Sequence, residues 1–291
     1  MKPAPFVYHR ADTVDEAVDM LAATRGKVLA GGQSLIPLLS MRLACPSDLV
    51  DINRIDGLDT VETTPTEVRI GCLVRHRALE LHDGAYAASP LLRRAVSQVA
   101  HATIRNRGTT VGSLVHADPA AEMPAVLALL DGTVEAVSRE RGARSIAASD
   151  FFVGPLETSL HDDELAVSAT FPSPAAGTGS SWMELARRHG DYAMVGVGAV
   201  VTLDEQRHIV AARVALISVG GVPVVVDVSG AAAGEAADTV DWRVAEEPVS
   251  AAIQPDADIH ATAQYRAMLA RVLTRRALAD ATADAVRRVA A

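Results

Sequence analysis

The chain has 291 residues, 49% of them apolar and 22% charged, which is enough for roughly two domains with fully buried cores. Its formal net charge of −9 and the dispersal of its basic residues exclude a surface that tracks nucleic acid. Two cysteines, Cys45 and Cys72, are too few for an iron–sulfur cluster, which takes about four, and the histidines show no zinc-ligand spacing. The N-terminus lacks a signal-peptide pattern and no apolar run approaches the ~20 residues of a membrane span, so we expect a cytoplasmic protein.

Short strands and helices alternate along the first half of the chain. Thr13 and Glu16 form a capping box before an amphipathic helix, because both side chains can accept free amides of the first turn. Ser89 and Asp118 each precede a proline and are the predicted caps of two further helices. The predicted strands span 27–30, 49–52 and 67–73, the predicted helices span 35–42, 89–102 and 119–130, residues 106–116 form a loop, and 132–137 pairs with 144–147 as a hairpin.

The composition changes at residues 171–181, FPSPAAGTGSS, which we interpret as a linker. Beyond it the predicted strands are longer, and the chain closes with two helices, the second carrying an apolar stripe. The order of elements predicts an α+β protein with domains at 1–172 and 178–291, the second a smaller sheet with helices. The predicted strands span 194–203, 209–219 and 222–228, the helices span 242–253 and 259–290, and the stripe contains Tyr265, Met268, Leu269, Val272, Leu273 and Leu278.

The strand at 27–30 runs directly into two glycines and a predicted helix. Gly31 and Gly32 let the backbone approach a ligand closely, and the free amides of a helix start favour a phosphate. Gln33 and Ser34 add polar side chains. The segment is neither a Walker loop nor a GxGxxG dinucleotide fingerprint. An ordinary connection between a strand and a helix explains the two glycines equally well.

A second loop of small polar residues lies about eighty residues later, at 105–119. Its glycines and hydroxyl side chains also lead toward a helix, and Arg105 and Arg107 add positive charge. Each residue has a structural alternative: Asp118 is a typical helix cap, His116 a hydrogen-bonded loop histidine, and the arginines a solvated turn.

Tyr192 lies at the predicted domain junction, in the segment Arg187–Ala193, beside Gly190 and Asp191. An aromatic ring in this position can stack on a planar cofactor, and the alternative is a core tyrosine that opens a strand. The sequence has no GxSxG or HExxH motif and no paired carboxylates, so we assign no catalytic residue and no metal site of its own. Any redox chemistry then depends on an organic cofactor.

Five blocks of sequence, in order, resemble the medium subunits of molybdenum hydroxylases, a family that includes carbon monoxide dehydrogenase and relatives of xanthine dehydrogenase. The first two blocks are AGGQSLIPLLSMR at 30–42 and IRNRGTTVGSLVHADPAAEMP at 104–124. The others are DFFVGPLETSL at 150–160, RRHGDYAMVGVGA at 187–199 and DIHATAQYRAMLARVLTRRAL at 258–278. The family's second motif commonly reads TIGGS, and Val111 replaces one of its glycines. A valine disfavours a close backbone approach or a positive φ there, although FAD binding is still expected.

The resemblance implies an FAD-binding domain of the two-part PCMH or vanillyl-alcohol-oxidase type. A small domain of the carbon monoxide dehydrogenase flavoprotein C-terminal type, a sheet with helices, would follow it. In family terms the first loop cradles the pyrophosphate, the second completes the flavin and ribityl contacts, and Tyr192 lies by the isoalloxazine ring. The implied FAD-binding residues are Lys27, Val28, Leu29, Ala30, Gly31, Gly32, Gln33, Ser34, Leu35, Ala102, Thr109, Gly112, Ser113, His116, Ala117, Asp118, Asp163, Leu165 and Tyr192.

The implied function is one station of an electron relay. A large molybdenum-cofactor subunit would hydroxylate substrate, a small [2Fe–2S] subunit would relay electrons, and FAD in this chain would pass them to NAD, a quinone or another acceptor. The expected assembly is a dimer of heterotrimers, in which this chain holds and tunes the flavin. Two alternatives stay open. One is a stand-alone FAD oxidoreductase whose Tyr192, His116 or Arg107 contacts a small-molecule substrate, and the other is a non-enzymatic module with decayed flavin loops.

Overall fold

Three parallel strands and two helices form the N-terminal layer of the computed structural model, which describes residues 2–290. Helix α1 begins where predicted, because the Thr13 hydroxyl accepts the Glu16 amide at 3.1 Å. The Glu16 carboxylate accepts the amide of Asp12 rather than that of Thr13, so the capping box is shifted by one residue. The elements are β1 (Val7–Arg10), α1 (Val14–Thr24), β2 (Lys27–Leu29), α2 (Leu35–Met41) and β3 (Asp48–Asp51), with the strands in the order β1-β3-β2.

A five-stranded antiparallel sheet forms the second layer, and its central strand escaped the sequence analysis. That strand, Leu165–Pro172, is buried on both faces and therefore lacks the alternation of a half-buried strand. The predicted hairpin at 132–147 is confirmed. The strands are β4 (Val61–Thr63), β5 (Glu67–Gly71), β6 (Thr133–Ser138), β7 (Gly142–Ala147) and β10 (Leu165–Pro172) in the order β4-β5-β10-β6-β7, with β8 (Phe152–Gly154) and β9 (Glu157–Thr158) as a separate hairpin.

Seven short helices connect the strands of this layer, and their bounds differ from the predicted ones in three places. The helix expected over 89–102 ends at Val96, and Ala100 then takes a φ of +44° that no helix continues through. The expected loop at 106–116 is helical from Thr110 onward. The helix expected from 119 begins at Glu122, because Asp118 accepts the Ala120 amide and closes a turn instead. The helices are α3 (His76–Leu81), α4 (Asp83–Ala88), α5 (Pro90–Val96), α6 (Ala102–Arg105), α7 (Thr110–His116), α8 (Glu122–Leu129) and α9 (Ala148–Phe151).

The C-terminal part is a four-stranded antiparallel meander with helices. The predicted linker is wrong over most of its length, because β10 contains its first two residues and β11 its last four, which leaves 173–177 as the connection. A Cβ at Gly179 would lie 2.1 Å from the Ala281 carbonyl, so this glycine lets α12 lie directly on the strand. The elements are β11 (Thr178–Ala186), β12 (Ala193–Leu203), β13 (Ile209–Ile217), β14 (Val224–Asp227), α10 (Ser229–Ala232), a 3₁₀ turn (Trp242–Ala245), α11 (Glu246–Ala252) and α12 (Ala263–Val289).

The meander is covered on both faces, which joins the N- and C-terminal parts through a continuous core. Trp182 and Ile217 face the core that includes α8, whereas Val197 and Val201 face the core under α12. The stripe predicted on α12 is partly correct. Its three leucines are buried, but Tyr265 and Met268 are 39% and 37% exposed because α12 contacts the sheet along the next face.

Candidate functional site

The first glycine loop turns sharply between β2 and α2. Gly32 has a φ of +72°, a conformation that side chains disfavour, and a Cβ there would lie 3.1 Å from Ile36 Cγ1. Within residues 2–290, the amides from Gly31 to Leu35 donate to no protein acceptor. A row of unpaired N–H groups in a turn is the type of backbone surface that binds anions.

The two glycine loops touch each other directly. A Cβ on Gly31 would lie 2.4 Å from the Arg107 carbonyl oxygen and 2.9 Å from Gly108 Cα. Both neighbours are backbone atoms, so any side chain at position 31 would force the loops apart. The contact brings the unpaired amides of the first loop beside the backbone of the second.

Two polar side chains that the sequence analysis missed bind the backbone of the two loops. Asn53 donates to the carbonyls of Ala30 and Leu29 at 2.9 and 3.2 Å. Arg75 donates to the Arg107 carbonyl at 2.8 Å and to Asn53 at 2.7 Å. The available signal was positional: Asn53 follows β3, the neighbour of β2, and residues beyond the carboxyl ends of adjacent parallel strands meet at one edge.

A cleft of about 390 Å³ opens between the loops. Its size is at the lower end of small-molecule pockets, enough for part of a dinucleotide. Of the predicted first-loop residues, those from Leu29 to Gln33 line it, whereas Lys27, Val28, Ser34 and Leu35 lie outside its lining. The cleft is lined by Leu29, Ala30, Gly31, Gly32, Gln33, Ile36, Pro37, Asp51, Asn53, Ile104 and Arg107.

The two arginines of the second loop have different roles. Arg105 is buried, pairs with Glu80 at 3.0 Å and donates to the carbonyls of Val99 and Ala100, so it supports the chain structurally. Arg107 is exposed and is one of the residues that line the cleft.

The rest of the second loop is the start of α7. The Thr109 hydroxyl accepts the Gly112 amide at 3.2 Å, and a Cβ on Gly112 would lie only 2.5 Å from that hydroxyl. Val111 lies one residue earlier, is 1% exposed and has no positive φ, so its side chain enters the core. The replacement of the motif's glycine by Val111 therefore leaves the backbone unstrained. His76 lies beneath the loop, where burial lowers its pKa to about 4 and keeps the ring neutral.

Tyr192 is 67% exposed and is therefore no core tyrosine. Partial desolvation and the carboxylates of Asp118, Glu122 and Asp191 raise the pKa of its hydroxyl. Glu122, at the start of α8, was not predicted as a site residue. Burial, followed by the charge of Glu184, raises the pKa of Glu122 to about 8, so it retains a proton at neutral pH.

The remaining predicted residues are spread around these elements. Ala102 is exposed at the start of α6, His116 is half-buried at the end of α7, and Ser113 is half-buried within α7. Asp163 pairs with Arg141, and Leu165 is buried opposite Val137 in β10. Ala117 ends α7 with a φ of +50°, and its carbonyl accepts the Leu156 amide.

Two negative findings apply to residues 2–290. No three His, Cys, Asp or Glu side chains are grouped so that they could hold a metal ion. No helix in this part of the chain is both long and apolar enough to span a membrane.

Comparison with known families gives two matches that together cover most of the chain. Residues 4–174 match the FAD binding domain in molybdopterin dehydrogenase, and residues 180–281 match the CO dehydrogenase flavoprotein C-terminal domain. Among solved structures, carbon monoxide dehydrogenase from Hydrogenophaga pseudoflava superimposes with a TM-score of 0.92 at 32% identity, over 98% of this chain and 99% of that one. Quinoline 2-oxidoreductase from Pseudomonas putida gives 0.91 at 33% identity, over 98% and 99%.

Two curated relatives are similar along their whole length. The 6-hydroxypseudooxynicotine dehydrogenase complex subunit alpha of Paenarthrobacter nicotinovorans is 38% identical over 97% of this chain and 96% of its own. The carbon monoxide dehydrogenase medium chain of Afipia carboxidovorans is 33% identical over 98% and 99%. The two-part fold class inferred from the resemblance is confirmed. The chain belongs to the family of FAD-binding subunits of molybdenum hydroxylases, of the carbon monoxide dehydrogenase medium-chain type.

Proposed function

We propose that this chain receives electrons from [2Fe–2S] clusters in a small partner subunit and passes them through FAD to an external acceptor, while a large molybdenum-cofactor subunit oxidises the substrate. Membership of an FAD-subunit family supports the proposal, as do relatives named as the subunit of a dehydrogenase complex or as a medium chain. The proposed assembly is a dimer of heterotrimers. The cytoplasmic location expected from the N-terminal sequence stays a prediction.

The single observation that carries the cofactor assignment is the contact of the two glycine loops at Gly31 and Arg107. It brings the unpaired amides of the first loop beside Arg107, and residues of both loops line one cleft. This donor set fits the pyrophosphate of FAD, because amide N–H groups and a guanidinium both favour anionic oxygens. We therefore propose that residues 30–35 bind the pyrophosphate and that Thr109, Gly112, Ser113, Ala117 and Asp118 contact the ribityl chain and flavin.

The other predicted FAD contacts fall into two groups, according to whether their side chains are free to meet a ligand. Lys27, Val28, Leu29, Ala102 and His116 flank the two loops and stay in the proposed site. The carboxylate of Asp163 is already paired with Arg141, and the Leu165 side chain is buried in the core. For these two residues we propose contacts through the backbone only.

Bound FAD supplies the redox chemistry, since its ring accepts electrons singly and releases them in pairs. The chain's own residues bind, orient and shield it. Asn53 and Arg75 keep the two loops at a fixed separation, and the exposed Tyr192 ring would lie against the isoalloxazine. Neutral Glu122 holds a proton close to Tyr192 without adding a charge to the site.

The proposed domain boundaries follow the two strands that flank the connection at 173–177. We propose an FAD-binding domain at 1–172 and a C-terminal domain at 178–291. The end of β10 at Pro172 and the start of β11 at Thr178 support this division.

The composition of the purified complex tests the proposed function. Tagged protein isolated from its native host is expected to carry about one FAD per chain and to co-purify with two further chains that contain molybdenum and iron. A lone yellow protein whose flavin is reduced directly by a small molecule would support the stand-alone oxidoreductase instead. Protein without the flavin absorption bands near roughly 370 and 450 nm would support the non-enzymatic module.

Two substitutions test the pyrophosphate site itself. Gly32→Val places a β-branched residue at a φ of +72°, and Ser34→Val removes a polar side chain from the same turn. We expect both variants to lose FAD during gel filtration. Normal FAD retention in both would contradict the assignment of residues 30–35.

A further inference from the structure

The segment that carries Tyr192 is held at both ends by residues near the start of α12. At one end, the Arg187 guanidinium donates to the carbonyls of Ile259 and His260 at 3.2 and 3.3 Å. At the other end, Arg266 donates to the Met194 carbonyl at 2.6 Å. The exposed tyrosine therefore lies on a short segment that is tied down on either side.

Ser218 joins this segment to the second glycine loop. Its amide donates to the Pro119 carbonyl at 2.9 Å, and its hydroxyl donates to the Ala193 carbonyl at 2.7 Å. Its own carbonyl accepts from Arg266 at 3.2 Å. Ser218 makes these bonds with a φ of +62°, a conformation that costs a non-glycine residue energy and persists where the surroundings require it.

Arg266 completes the arrangement from the C-terminal helix. Its side chain is 7% exposed, and one guanidinium nitrogen donates to the Asp258 carboxylate at 2.6 Å. Burial opposes ionisation of Asp258, but the amides of Ala261 and His260 and the charge of Arg266 outweigh it and lower its pKa to about 2. The anchor therefore stays charged at physiological pH.

We propose that Ser218 and Arg266 are positioning residues that fix the Tyr192 ring relative to the second glycine loop and hence to the flavin. The inference rests on the proposed function. Pro119 directly follows Asp118, and Ala193 directly follows Tyr192. The two hydrogen bonds of Ser218 therefore link the backbone next to one proposed flavin contact with the backbone next to the other. The backbone that carries Tyr192 cannot move away from the backbone after Asp118 without straining at least one of these bonds.

The test compares four variants of the FAD-loaded protein. Ser218→Gly removes the hydroxyl and tolerates the positive φ, and Arg266→Gln removes the charge and the fork of donors. Arg266→Lys restores the charge and one donor. Arg275→Gln is the matched control. Arg275 lies on the same helix, and its partner is Glu246, at 3.4 Å, rather than a residue of the Tyr192 segment.

Flavin fluorescence, FAD affinity and amide exchange of residues 187–194 are the readouts, because none of them measures turnover. We expect Ser218→Gly and Arg266→Gln to raise flavin fluorescence, as a stacked aromatic ring quenches it, and to weaken FAD binding by about threefold to tenfold. Amide exchange of residues 187–194 should accelerate in both. Arg266→Lys should recover a large part of each signal, and Arg275→Gln should match the wild type.

A Tyr192→Ala background checks that the effect passes through the tyrosine. There, Ser218→Gly and Arg266→Gln should change flavin fluorescence no further. If both variants behave as Arg275→Gln does in the wild-type background, the positioning role is wrong while the flavin assignment stands. Wild-type protein that binds no FAD overturns both. Should Arg266→Gln fail to fold, Ser218→Gly keeps the arginine and carries the same expectation.

Discussion

Substitution of Gly31 by alanine tests the contact on which the cofactor site depends. The added methyl would lie 2.4 Å from the Arg107 carbonyl oxygen, far inside the ~3.5 Å at which nonbonded heavy atoms are comfortable. The loops must then separate by about 1 Å. The Arg107 carbonyl cannot yield freely, because Arg75 holds it at 2.8 Å.

The expected cost follows from overpacking. Inserting a methyl into a filled site costs about 1–3 kcal/mol, and the displaced Arg107 carbonyl loses part of a charge-assisted hydrogen bond. Since the loops bind FAD together, we expect the loss to divide between lower stability and weaker FAD binding. If all of it fell on binding, affinity would drop roughly 5-fold to 150-fold.

The assay is a fluorescence titration of FAD into deflavinated protein, together with urea unfolding. Gly230→Ala is the matched control, because no heavy atom lies within 4 Å of a Cβ at that helical position. We expect the control to bind FAD as the wild type does and to be up to about 1 kcal/mol more stable, because alanine favours a helix over glycine. Gly31→Ala protein with the affinity and stability of the control would refute the close approach of the loops.

Three further substitutions test charge and packing. Asp284→Asn breaks a pair with Arg94 (3.0 Å) in which the carboxylate side chain is 9% exposed, and should cost about 3–5 kcal/mol in urea unfolding. Burial favours the protonated form of Asp284, but the Ser180 amide and the charge of Arg94 outweigh burial and lower the pKa of this carboxyl. The stability difference between the wild type and Asp284→Asn should therefore hold above about pH 4 and vanish as the pH falls through the folded-state pKa. Burial and the charge of Glu184 raise the pKa of Glu122 from 4.5 to about 8. Wild-type stability should therefore decline as the pH rises from 4.5 to about 8, because the buried carboxyl must lose its proton. Glu122→Gln should melt at a higher temperature than the wild type at pH 8 and at the same temperature at pH 4. Val111→Gly should cost roughly 2–4 kcal/mol in urea unfolding, through an emptied core position and a helical glycine, while the folded fraction binds FAD normally.

Elements with a strong local signal could be predicted from the sequence. The Thr13 cap and the hairpin at 132–147 are examples, because a cap or a turn depends on residues a few positions apart. Strands β10 and β11 could not. β10 is buried on both faces, and β11 opens with TGSS, whose glycine makes room for α12 but reads as linker composition.

The predicted site divides along the same line. The glycine loops were recognisable because glycines and hydroxyl side chains act within their own turn. Asn53, Arg75 and Ser218 were not recognisable, since each bonds to a backbone group 23 to 99 residues away, and no local pattern marks such a partner. Glu122 was missed for a related reason: its raised pKa comes from burial and from Glu184 on another element.

The composition first excluded an iron–sulfur cluster held by this chain, and its motifs then identified the family and the cofactor. Both conclusions depend on residue types and their order, which the sequence contains in full. Tertiary structure alone decided that Gly31 abuts Arg107, that Val111 is a core residue, and that Ser218 ties the Tyr192 segment to the second loop. These are contacts between surfaces of separate elements, and only the packing of the sheets and helices determines which surfaces meet.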